Sequence, residues 1–377
     1  MKLENFKAGS LRTQYQYKSL TPSLVNHVWT WHDPQINTFL ETASRALSEL
    51  NAFSLIVPDV DLFIQMHIAK EANTSSRIEG TRTKMDEAVM ALEQITPERR
   101  DDWEEVQNYI KAMDEALDEL TRLPLSNRLL KNAHTILLKG VRGEHKLPGE
   151  FRRSQNWIGG SSLKDAIYIP PGHDELSELM GDLEKFWHND QIEVPHLIRI
   201  AISHYQFETI HPFLDGNGRI GRMLVTLYLV SHGILEKPSL YLSDFFEKNR
   251  GSYYDALTAV RTSDDLIHWI KFFLNAIVQT ALKGQRTFRE ILALRNQTDG
   301  KIVSLGRKAE NARKLIMHLY QNPVLSGSAI TKFLSITPRA ANALIKDLER
   351  LNILMEITGF KRNRIFAFEE YLSLFRE

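Results

Sequence analysis

Apolar residues recur at three- and four-residue spacing along most of the chain, which is the pattern of helices that bury one face. The spacing predicts helices over residues 35–55, 63–80, 83–92, 101–120, 126–138, 194–209, 219–231 and 266–282. Gly80 follows the second helix as an end signal, and Ser126 precedes the fifth as a cap. The sequence therefore predicts a mainly α protein.

Two stretches lack this helical period. Residues 1–40 carry aromatic residues and prolines without regular spacing, which predicts an irregular arm packed on the body. Residues 149–171 contain paired glycines between the short runs Asn156-Trp-Ile and Ala166-Ile-Tyr-Ile, which is typical of a β-hairpin. The helical fold is therefore expected to include one small hairpin.

The C-terminal region follows a polar stretch at residues 287–307, which we interpret as the lead into a separate piece. The predicted elements, in order, are helices at residues 310–320, 327–334 and 337–351 and strands at residues 353–357 and 364–368. The two strands flank a basic tip at residues 358–363. This order predicts a winged helix-turn-helix.

The charge of this region suggests two kinds of partner. From residue 301 onward, 13 Lys and Arg stand against 7 Asp and Glu, whereas the whole chain has 47 of each. A basic balance permits contact with DNA. The third helix also carries Asp347 and Glu349. We therefore favour protein docking or a homodimer contact, with DNA binding as the alternative.

Composition narrows the class of protein. A chain of 377 residues exceeds one usual core, so two or three domains are expected. The formal net charge is zero, so no overall field attracts nucleic acid or a membrane. The chain has no cysteine, and its polar N-terminus lacks an apolar signal core. We therefore expect a cytoplasmic protein without membrane contact.

The segment His211-Pro-Phe-Leu-Asp-Gly-Asn-Gly-Arg-Ile-Gly-Arg222 concentrates the side chains that phosphate chemistry uses. Its turn, Gly216-Asn-Gly218, allows successive N–H groups to face inward, and the positive end of the next helix points to the same place. Asp215 is a hard oxygen ligand suited to Mg²⁺. Arg219 and Arg222 share one helix face, where they could bind phosphate oxygens. The segment therefore predicts an anion site.

Two other phosphate-binding motifs do not explain this segment. Residues 216–221 fit G-x-G-x-x-G, but a dinucleotide site requires a preceding strand, and a helix is predicted there. The sequence contains no G-x-x-x-x-G-K-[ST], which excludes a Walker loop.

The segment matches the Fic-family signature, H-x-F-x-[DE]-G-N-G-R-x-x-R, at every fixed position. The chain resembles proteins of this family over residues 60–285, and the resemblance implies a Fic helical bundle. Such proteins transfer the AMP part of ATP onto a side-chain hydroxyl group of a target protein, at Tyr, Thr or Ser, and release pyrophosphate. The resemblance therefore implies ATP as substrate, Mg²⁺ as cofactor and a protein as partner.

The resemblance also implies roles for single residues. His211 would be the base that removes the proton of the target hydroxyl, and Asp215 would bind Mg²⁺. Arg219 would support the β-phosphate, and Arg222 would bind the γ-phosphate. The other nucleotide-binding residues expected in the signature are Gly216, Asn217, Gly218, Ile220 and Gly221.

A second motif lies on the helix predicted at residues 63–80. Ser75, Glu79 and Gly80 fit [ST]-x-x-x-E-[GN], which resembles the inhibitory-helix motif of Fic relatives with a built-in inhibitor. In that interpretation Glu79 pairs with Arg222, so the γ-phosphate loses its clamp and ATP is misaligned for attack. The alternative is an ordinary surface glutamate near the end of a helix.

Two further assignments follow from the resemblance. The hairpin at residues 149–171 would be a flap that aligns the target by strand addition, with an ordinary structural hairpin as the alternative. Residues 240–257 resemble the segment that closes the nucleotide pocket, and we choose Asn249 and Tyr254 as adenosine contacts. The alternative for the aromatic residues of this segment is burial in the hydrophobic core, because they recur at helical spacing.

These interpretations divide the chain into three regions. Residues 1–115 are assigned to an N-terminal helical region with the inhibitory helix, residues 116–285 to the Fic catalytic core, and residues 300–377 to the winged-helix domain. A rival from another functional class is a DNA-binding regulator, or an antitoxin-like protein, that retains a residual Fic site.

Overall fold

The computed structural model of the protein describes residues 1–360 and 362–376, and most of these are helical. The α-helices, in chain order, are α1 Pro34–Ile56, α2 Val60–Ile78, α3 Met85–Ala88, α4 Arg100–Leu120, α5 Asn127–Leu137, α6 Leu176–His188, α7 His196–Ile210, α8 Asn217–Ser231, α9 Ser243–Lys248, α10 Arg250–Ser263, α11 Leu266–Val303, α12 Ala309–Leu319, α13 Gly327–Leu334, α14 Pro338–Arg350 and α15 Glu369–Arg376. The strands are β1 Gly9–Thr13, β2 Lys18–Pro22, β3 Val324–Ser326, β4 Met355–Glu356 and β5 Ile365–Ala367. The prediction of a mainly α fold is confirmed.

Helices α7 and α8 form the centre of the bundle. Nearly all residues of both are buried, because α6 and α11 pack on α7 while α2, α4 and α5 pack on α8. Both helices bury polar residues such as Arg199, Glu208 and Arg222 as well as apolar ones, so the surrounding helices enclose them on all sides. The end of α7 and the start of α8 are therefore fixed by packing, and the segment at residues 211–216 joins them.

Helix α11 corrects the prediction of a polar linker at residues 287–307. Its helix runs on to Val303, and Phe288 and Ile291 are buried on its inner face. The linker prediction was wrong because the polar composition belongs to the exposed face of a continuing helix. The predicted gap at residues 286–299 therefore lies inside α11, and the predicted boundary at residue 115 lies inside α4.

Helix α1 lies along α11 and joins the N-terminal region to the helical bundle around α7 and α8. The side-chain amide of Gln285 donates to the Ala46 carbonyl at 3.0 Å. A Cβ atom placed on Gly284 would lie 2.9 Å from Leu50, so a glycine at this position allows the two helices to approach closely.

The predicted irregular arm contains a β-hairpin instead. Strands β1 and β2 pair antiparallel from Gly9 opposite Pro22 to Thr13 opposite Lys18. Four of the five β1 residues are exposed, so the strand lacks the alternation that reveals a half-buried strand in a sequence. Asp264 ties this arm to α10 by accepting from the Ala8 amide at 2.8 Å.

The helix predicted at residues 83–92 is also shorter than expected. The structure has the single turn α3, followed by a 3₁₀ turn at Leu92–Gln94. The Gln107 side chain donates to the Ala88 carbonyl at 2.7 Å, which occupies an acceptor that a longer helix would use.

The predicted hairpin at residues 149–171 has less strand pairing than expected. Ile158 and Tyr168 form an isolated antiparallel bridge, and Gly159 and Gly160 turn the chain with positive φ angles of 68° and 73°. The side chain of Ile167 is 77% exposed. The turn is therefore present, but the described chain forms no ladder on either side of it.

The C-terminal elements occur in the predicted order of helix, helix, helix and two strands. The sequence did not reveal β3, which completes an antiparallel sheet in the order β3-β5-β4. The predicted basic tip includes Lys361, which lies outside the described residues.

The sequence also did not reveal α15, which returns to the N-terminal region. The Tyr371 ring lies 6.3 Å from the Phe63 ring, and the Phe375 ring lies 5.2 Å from the His67 ring. Arg376 pairs with Asp86 at 2.7 Å. The outer face of α2 is therefore covered by the last helix of the chain.

Among the described helices, none combines the length and the apolar character that crossing a membrane requires.

Candidate active site

His211 stands at the joint between α7 and α8. It caps α7 in the left-handed region, with φ at 51°, and its amide donates to the Phe207 carbonyl at 2.9 Å. Few residues other than glycine adopt this conformation. The His211 carbonyl accepts from Arg152 Nε at 3.0 Å and from Asn156 Nδ2 at 3.3 Å. These two bonds stabilise the unusual backbone that presents the imidazole.

The His211 imidazole is uncharged, as a general base must be to accept a proton. Burial and the positive charge of Arg261 lower the pKa of His211 to about 3. Its Nδ1 atom is buried, and no described residue forms a hydrogen bond with it. The imidazole is therefore neutral at physiological pH and retains an acceptor nitrogen.

Asn217 fixes the loop that follows His211. Its Oδ1 accepts from the Phe213 amide at 2.8 Å, and its Nδ2 donates to the Phe213 carbonyl at 2.8 Å. The side chain of Asn217 is thus used within the loop, and only its backbone N–H is left for the predicted anion site.

His134 supports the same loop, although it belongs to no motif in the sequence. Its Nδ1 accepts from the Gly149 amide at 2.8 Å, so the proton is on Nε2, which donates to the Asp215 carbonyl at 3.0 Å. Its ring stacks on Phe213 with centroids 3.8 Å apart. Burial lowers the pKa of His134 to about 4, so the ring is a neutral structural support.

We call residues 216–218, at the start of α8, the anion cradle because they form the predicted anion site, and the Glu79 carboxylate lies against them. Gly216 has a positive φ of 73° and precedes the helix. A Cβ atom placed on Gly218 would lie 2.3 Å from Glu79 Oε1. Glu79 therefore reaches the helix N-terminus, where unpaired N–H groups and the helix dipole favour negative charge.

Arg222 binds both residues of the second motif. Its Nε donates to Ser75 Oγ at 2.8 Å, and its Nη2 donates to the Ser75 carbonyl at 2.9 Å and to Glu79 Oε1 at 2.7 Å. Burial alone would raise the pKa of Glu79, but the charge of Arg222 and this hydrogen bond keep it below its usual value. Burial would likewise lower the pKa of Arg222, and the charge of Glu79 holds it above its ordinary range.

Arg219 is held in a different ion-pair network. Its Nη1 lies 3.1 Å from Glu105 Oε2, its Nη2 lies 3.4 Å from Asp215 Oδ1, and its side chain is 4% exposed. Glu105 also binds Arg142 at 2.7 Å. Glu105 could not be predicted from the sequence, because it lies on α4, more than one hundred residues before the segment that it supports.

Asp215 carries a carboxylate suited to a metal ion. The side chain is 42% exposed, beside the anion cradle. Mg²⁺ is commonly held by one or two carboxylates together with substrate phosphates and water. The described part of the chain has no group of three or more His, Cys, Asp and Glu residues that could hold a metal. Asp215 therefore fits an ion that arrives with phosphates.

The remaining predicted residues lie in different surroundings. Ile220 is fully buried in the core, and the Gly221 carbonyl binds His204 at 2.8 Å. Tyr254 is 40% exposed. Partial burial of its hydroxyl group and, to a smaller extent, the nearby charge of Glu79 raise the pKa of Tyr254, so this residue lies beside the site. Asn249 donates to the Phe245 carbonyl at 2.9 Å and lines a separate cavity.

Glu208 is a buried carboxyl group that sequence reasoning missed. It is 6% exposed on α7, one turn before His211, and no described residue forms a hydrogen bond with its Oε1. Burial raises the pKa of Glu208 to about 7, against the opposing charge of Arg222. A Cβ atom placed on Gly221 would lie 2.2 Å from Glu208 Oε1, so only glycine leaves room there.

We expect Glu208→Gln to stabilise the protein at high pH. A folded pKa near 7 means that the fold penalises the ionised form, so the penalty is complete above pH 7 and disappears as pH falls towards the ordinary glutamate pKa of 4.5. The shift corresponds to about 3 kcal/mol in the free energy of unfolding. Chemical denaturation at pH 8 and pH 5 measures the difference, which should be large only at pH 8.

Glu178→Gln on α6 is the control for this experiment. Glu178 is exposed, so its substitution should leave the free energy of unfolding unchanged at both pH values. Equal stability of Glu208→Gln and the wild type at pH 8 would contradict the interpretation of Glu208.

Comparisons with known proteins bear on the same region. A family model described as Fic/DOC family N-terminal matches residues 37–118, and a model described as Fic/DOC family matches residues 124–229. The second match contains His211, the anion cradle and Arg222, while the first contains Ser75 and Glu79.

Curated relatives match the chain in part. Proteins named protein adenylyltransferase Fic from Aedes aegypti and Culex quinquefasciatus are 34% and 35% identical over 133 residues, which is 35% of this chain. The match spans about a quarter of the length of these relatives, 24% in each case.

Solved structures have a similar fold. A Fic family protein from Desulfovibrio desulfuricans G20 has a TM-score of 0.56 at 19% identity, covering 89% of this chain and 96% of that chain. Fic-1 from C. elegans has a TM-score of 0.50 at 18% identity, covering 69% of this chain and 74% of that chain. The helical bundle is thus shared with proteins of very different sequence.

Proposed function

We propose that the chain is a protein adenylyltransferase, because models of the Fic/DOC family match residues 37–118 and 124–229. It would transfer AMP from ATP to a Tyr, Thr or Ser hydroxyl group of a target protein and release pyrophosphate. The observation that carries this proposal is the neutral imidazole of His211 beside an anion cradle at the start of α8.

The proposed reaction assigns a task to each part of the site. The target hydroxyl oxygen forms a bond to the α-phosphorus of ATP, and the bond from that phosphorus to the bridging oxygen of the β-phosphate breaks. The proton of the hydroxyl moves to His211, and the electron pair leaves with pyrophosphate. The N–H groups at Gly216 and Gly218 stabilise the phosphate charge. Mg²⁺, bound by Asp215, would neutralise further charge on the phosphates.

The same proposal includes restraint by α2. The Glu79 carboxylate lies against Gly218 and pairs with Arg222, so a negative charge occupies space that phosphates would need. Ser75 uses two more hydrogen-bonding positions of Arg222. While these contacts persist, Nε and Nη2 of Arg222 are bound to α2, and the γ-phosphate of ATP would meet repulsion from Glu79.

The target would bind along the loop at residues 149–171. Trp157 and Ile167 on this loop are 40% and 77% exposed, and exposed apolar side chains beside an active site fit protein contact. An extended target segment could pair with the backbone near Ile158, as in strand addition. For the C-terminal elements we propose protein docking or homodimer contact, with DNA binding as the alternative.

The proposed reaction is tested by the position of a label in ATP. The wild type and a Glu79→Gly variant are incubated with Mg²⁺, a cell lysate and ATP labelled on either the α- or the γ-phosphate. AMP transfer attaches the α-label to protein, whereas the γ-label leaves in pyrophosphate, and mass spectrometry identifies the modified residue. Lysate without the added protein gives the background from its own kinases. Attachment of the γ-label above this background, without attachment of the α-label, would indicate phosphate transfer and would refute the proposal.

A further inference from the structure

A cavity of about 200 Å³ lies between α2, α9, α11 and α15. Its described lining includes no residue of the segment 211–222. The wall from α2 consists of His67, Lys70, Glu71 and Thr74, at the spacing of one helix face. The cavity therefore lies on one side of α2, and the contacts of Glu79 lie on another.

Positive charge dominates the cavity. Lys283 Nζ lies 2.9 Å from Asp244 Oδ2, Lys248 Nζ lies 3.5 Å from the same oxygen, and Lys70 Nζ lies 3.9 Å from Oδ1. Three ammonium groups thus surround one carboxylate. Arg286 adds a fourth cationic group to the lining.

The second carboxyl group of the cavity, Glu71, is hydrogen-bonded to uncharged donors. It accepts hydrogen bonds from Tyr109 at 3.2 Å and from the Ser243 hydroxyl at 2.5 Å. Burial raises the pKa of Glu71 despite these bonds. Burial also lowers the pKa of Lys70 to about 8, although Asp244 opposes the change, so the positive charge of Lys70 is costly in the present surroundings.

His67 is a buried polar residue in the wall of the cavity. Its side chain is buried, and its Nε2 has no hydrogen-bond partner within residues 1–360 and 362–376. Rings of Phe288 and Phe375 lie 5.1 Å and 5.2 Å from the imidazole. Burial and the charge of Lys70 lower the pKa of His67 to about 3, so the ring is neutral and can donate one hydrogen bond. Buried polar groups rarely stay unpaired.

We propose that this cavity binds a small anion of the phosphate class. A phosphate monoester carries a charge of about −1.5 to −2 at neutral pH and offers three strong acceptor oxygens, which suits several ammonium groups around one carboxylate. The hydroxyl groups of Thr74 and Ser239 line the same space. A volume below the roughly 300–1,000 Å³ of drug-sized pockets favours a small ligand.

The bound anion would also act on α2. Thr74 lines the cavity, and the next residue, Ser75, binds Arg222. An anion held by Lys70 and Thr74 would keep α2 in its present position. On the proposed inhibitory role of Glu79, the ligand would therefore strengthen restraint.

Calorimetric titration of the full chain tests the site without measuring activity. Inorganic phosphate and glycerol phosphate are titrated separately at an ionic strength held constant with chloride. We expect saturable binding of at least one, weakened about tenfold or more by Lys283→Gln and by Lys248→Gln, where tenfold corresponds to about 1.4 kcal/mol. The tighter ligand shows whether free phosphate or a phosphate ester is preferred.

Lys111→Gln is the control for this experiment, and Lys248→Gln guards against loss of the fold. Lys111→Gln removes an exposed lysine of α4 that also pairs with a carboxylate, and it should leave the affinity unchanged. Lys248 is 57% exposed, so its substitution should preserve the fold even if Lys283→Gln does not. Absence of saturable binding, unchanged affinity in both cavity variants, or an equal loss in Lys111→Gln would overturn the proposal.

Discussion

Glu79→Gly should raise the rate of AMP transfer by roughly 10- to 150-fold. The Glu79–Arg222 contact is a charge-assisted hydrogen bond of 2.7 Å with a buried arginine, and such bonds contribute about 1.5–3 kcal/mol. If that free energy opposes ATP in its reactive position, its removal lowers the barrier by the same amount, and each 1.36 kcal/mol is tenfold in rate. Initial rates of label transfer from α-labelled ATP measure the change.

A second variant at this position separates the effect of charge from that of shape, and a third variant elsewhere is the control. Glu79→Gln keeps the shape but removes the charge, so we expect an intermediate rate. Glu349→Gly places the same substitution near the end of α14, far along the chain from the signature segment, and should leave the rate unchanged. Labelling in Glu79→Gly equal to or below that of the wild type would remove the inhibitory role from Glu79.

His211→Ala in the Glu79→Gly background should reduce transfer by about 10²- to 10⁴-fold, the usual contribution of a general base. His211 contributes its backbone to the loop, but the anion cradle is formed by other residues, so ATP binding should persist. Single-turnover labelling and equilibrium binding of ATP distinguish the two effects. Loss of binding together with transfer would assign His211 a structural role instead.

The left-handed backbone of His211 requires a second substitution. Alanine is strained at a φ of 51°, whereas asparagine tolerates this region, so His211→Asn tests for the base with less risk to the fold. His145→Ala, at an exposed loop position, is the matched control. If the protein is instead a DNA-binding regulator, both His211 variants should leave salt-dependent retention on duplex DNA unchanged.

The sequence was most informative where chemistry is concentrated in a short segment. Residues 211–222 contain the proposed base, the carboxylate, the glycine turn and the arginines together, so the candidate site could be predicted from one short segment. The helices α1, α4, α5 and α7 were also predicted nearly to their ends, because each carries a continuous apolar stripe. A helix with a regular apolar face can be predicted from the sequence without knowing which element packs against that face.

The contacts that support the site could not be predicted in this way. His134, Glu105 and Glu208 come close to the site only because the helices that carry them pack around it. Nothing in their local sequence distinguishes them from ordinary helix residues. The hairpin β1–β2 was missed because its first strand is exposed, and the length of α11 was missed because its outer face is polar. Asn217 was assigned to the nucleotide, yet its side chain closes the loop through Phe213.

The close packing of α1 on α11 limits how the proposed inhibition by Glu79 can be relieved. Gly284 lets Leu50 approach within contact distance, and α15 covers the outer side of α2, so the segment that carries Glu79 is built into the body of the protein. Cutting it away would expose the apolar surface that α1 and α2 now cover. Activation by proteolysis is therefore a poor route, and a reversible displacement of one carboxylate within an intact molecule is the route this architecture favours.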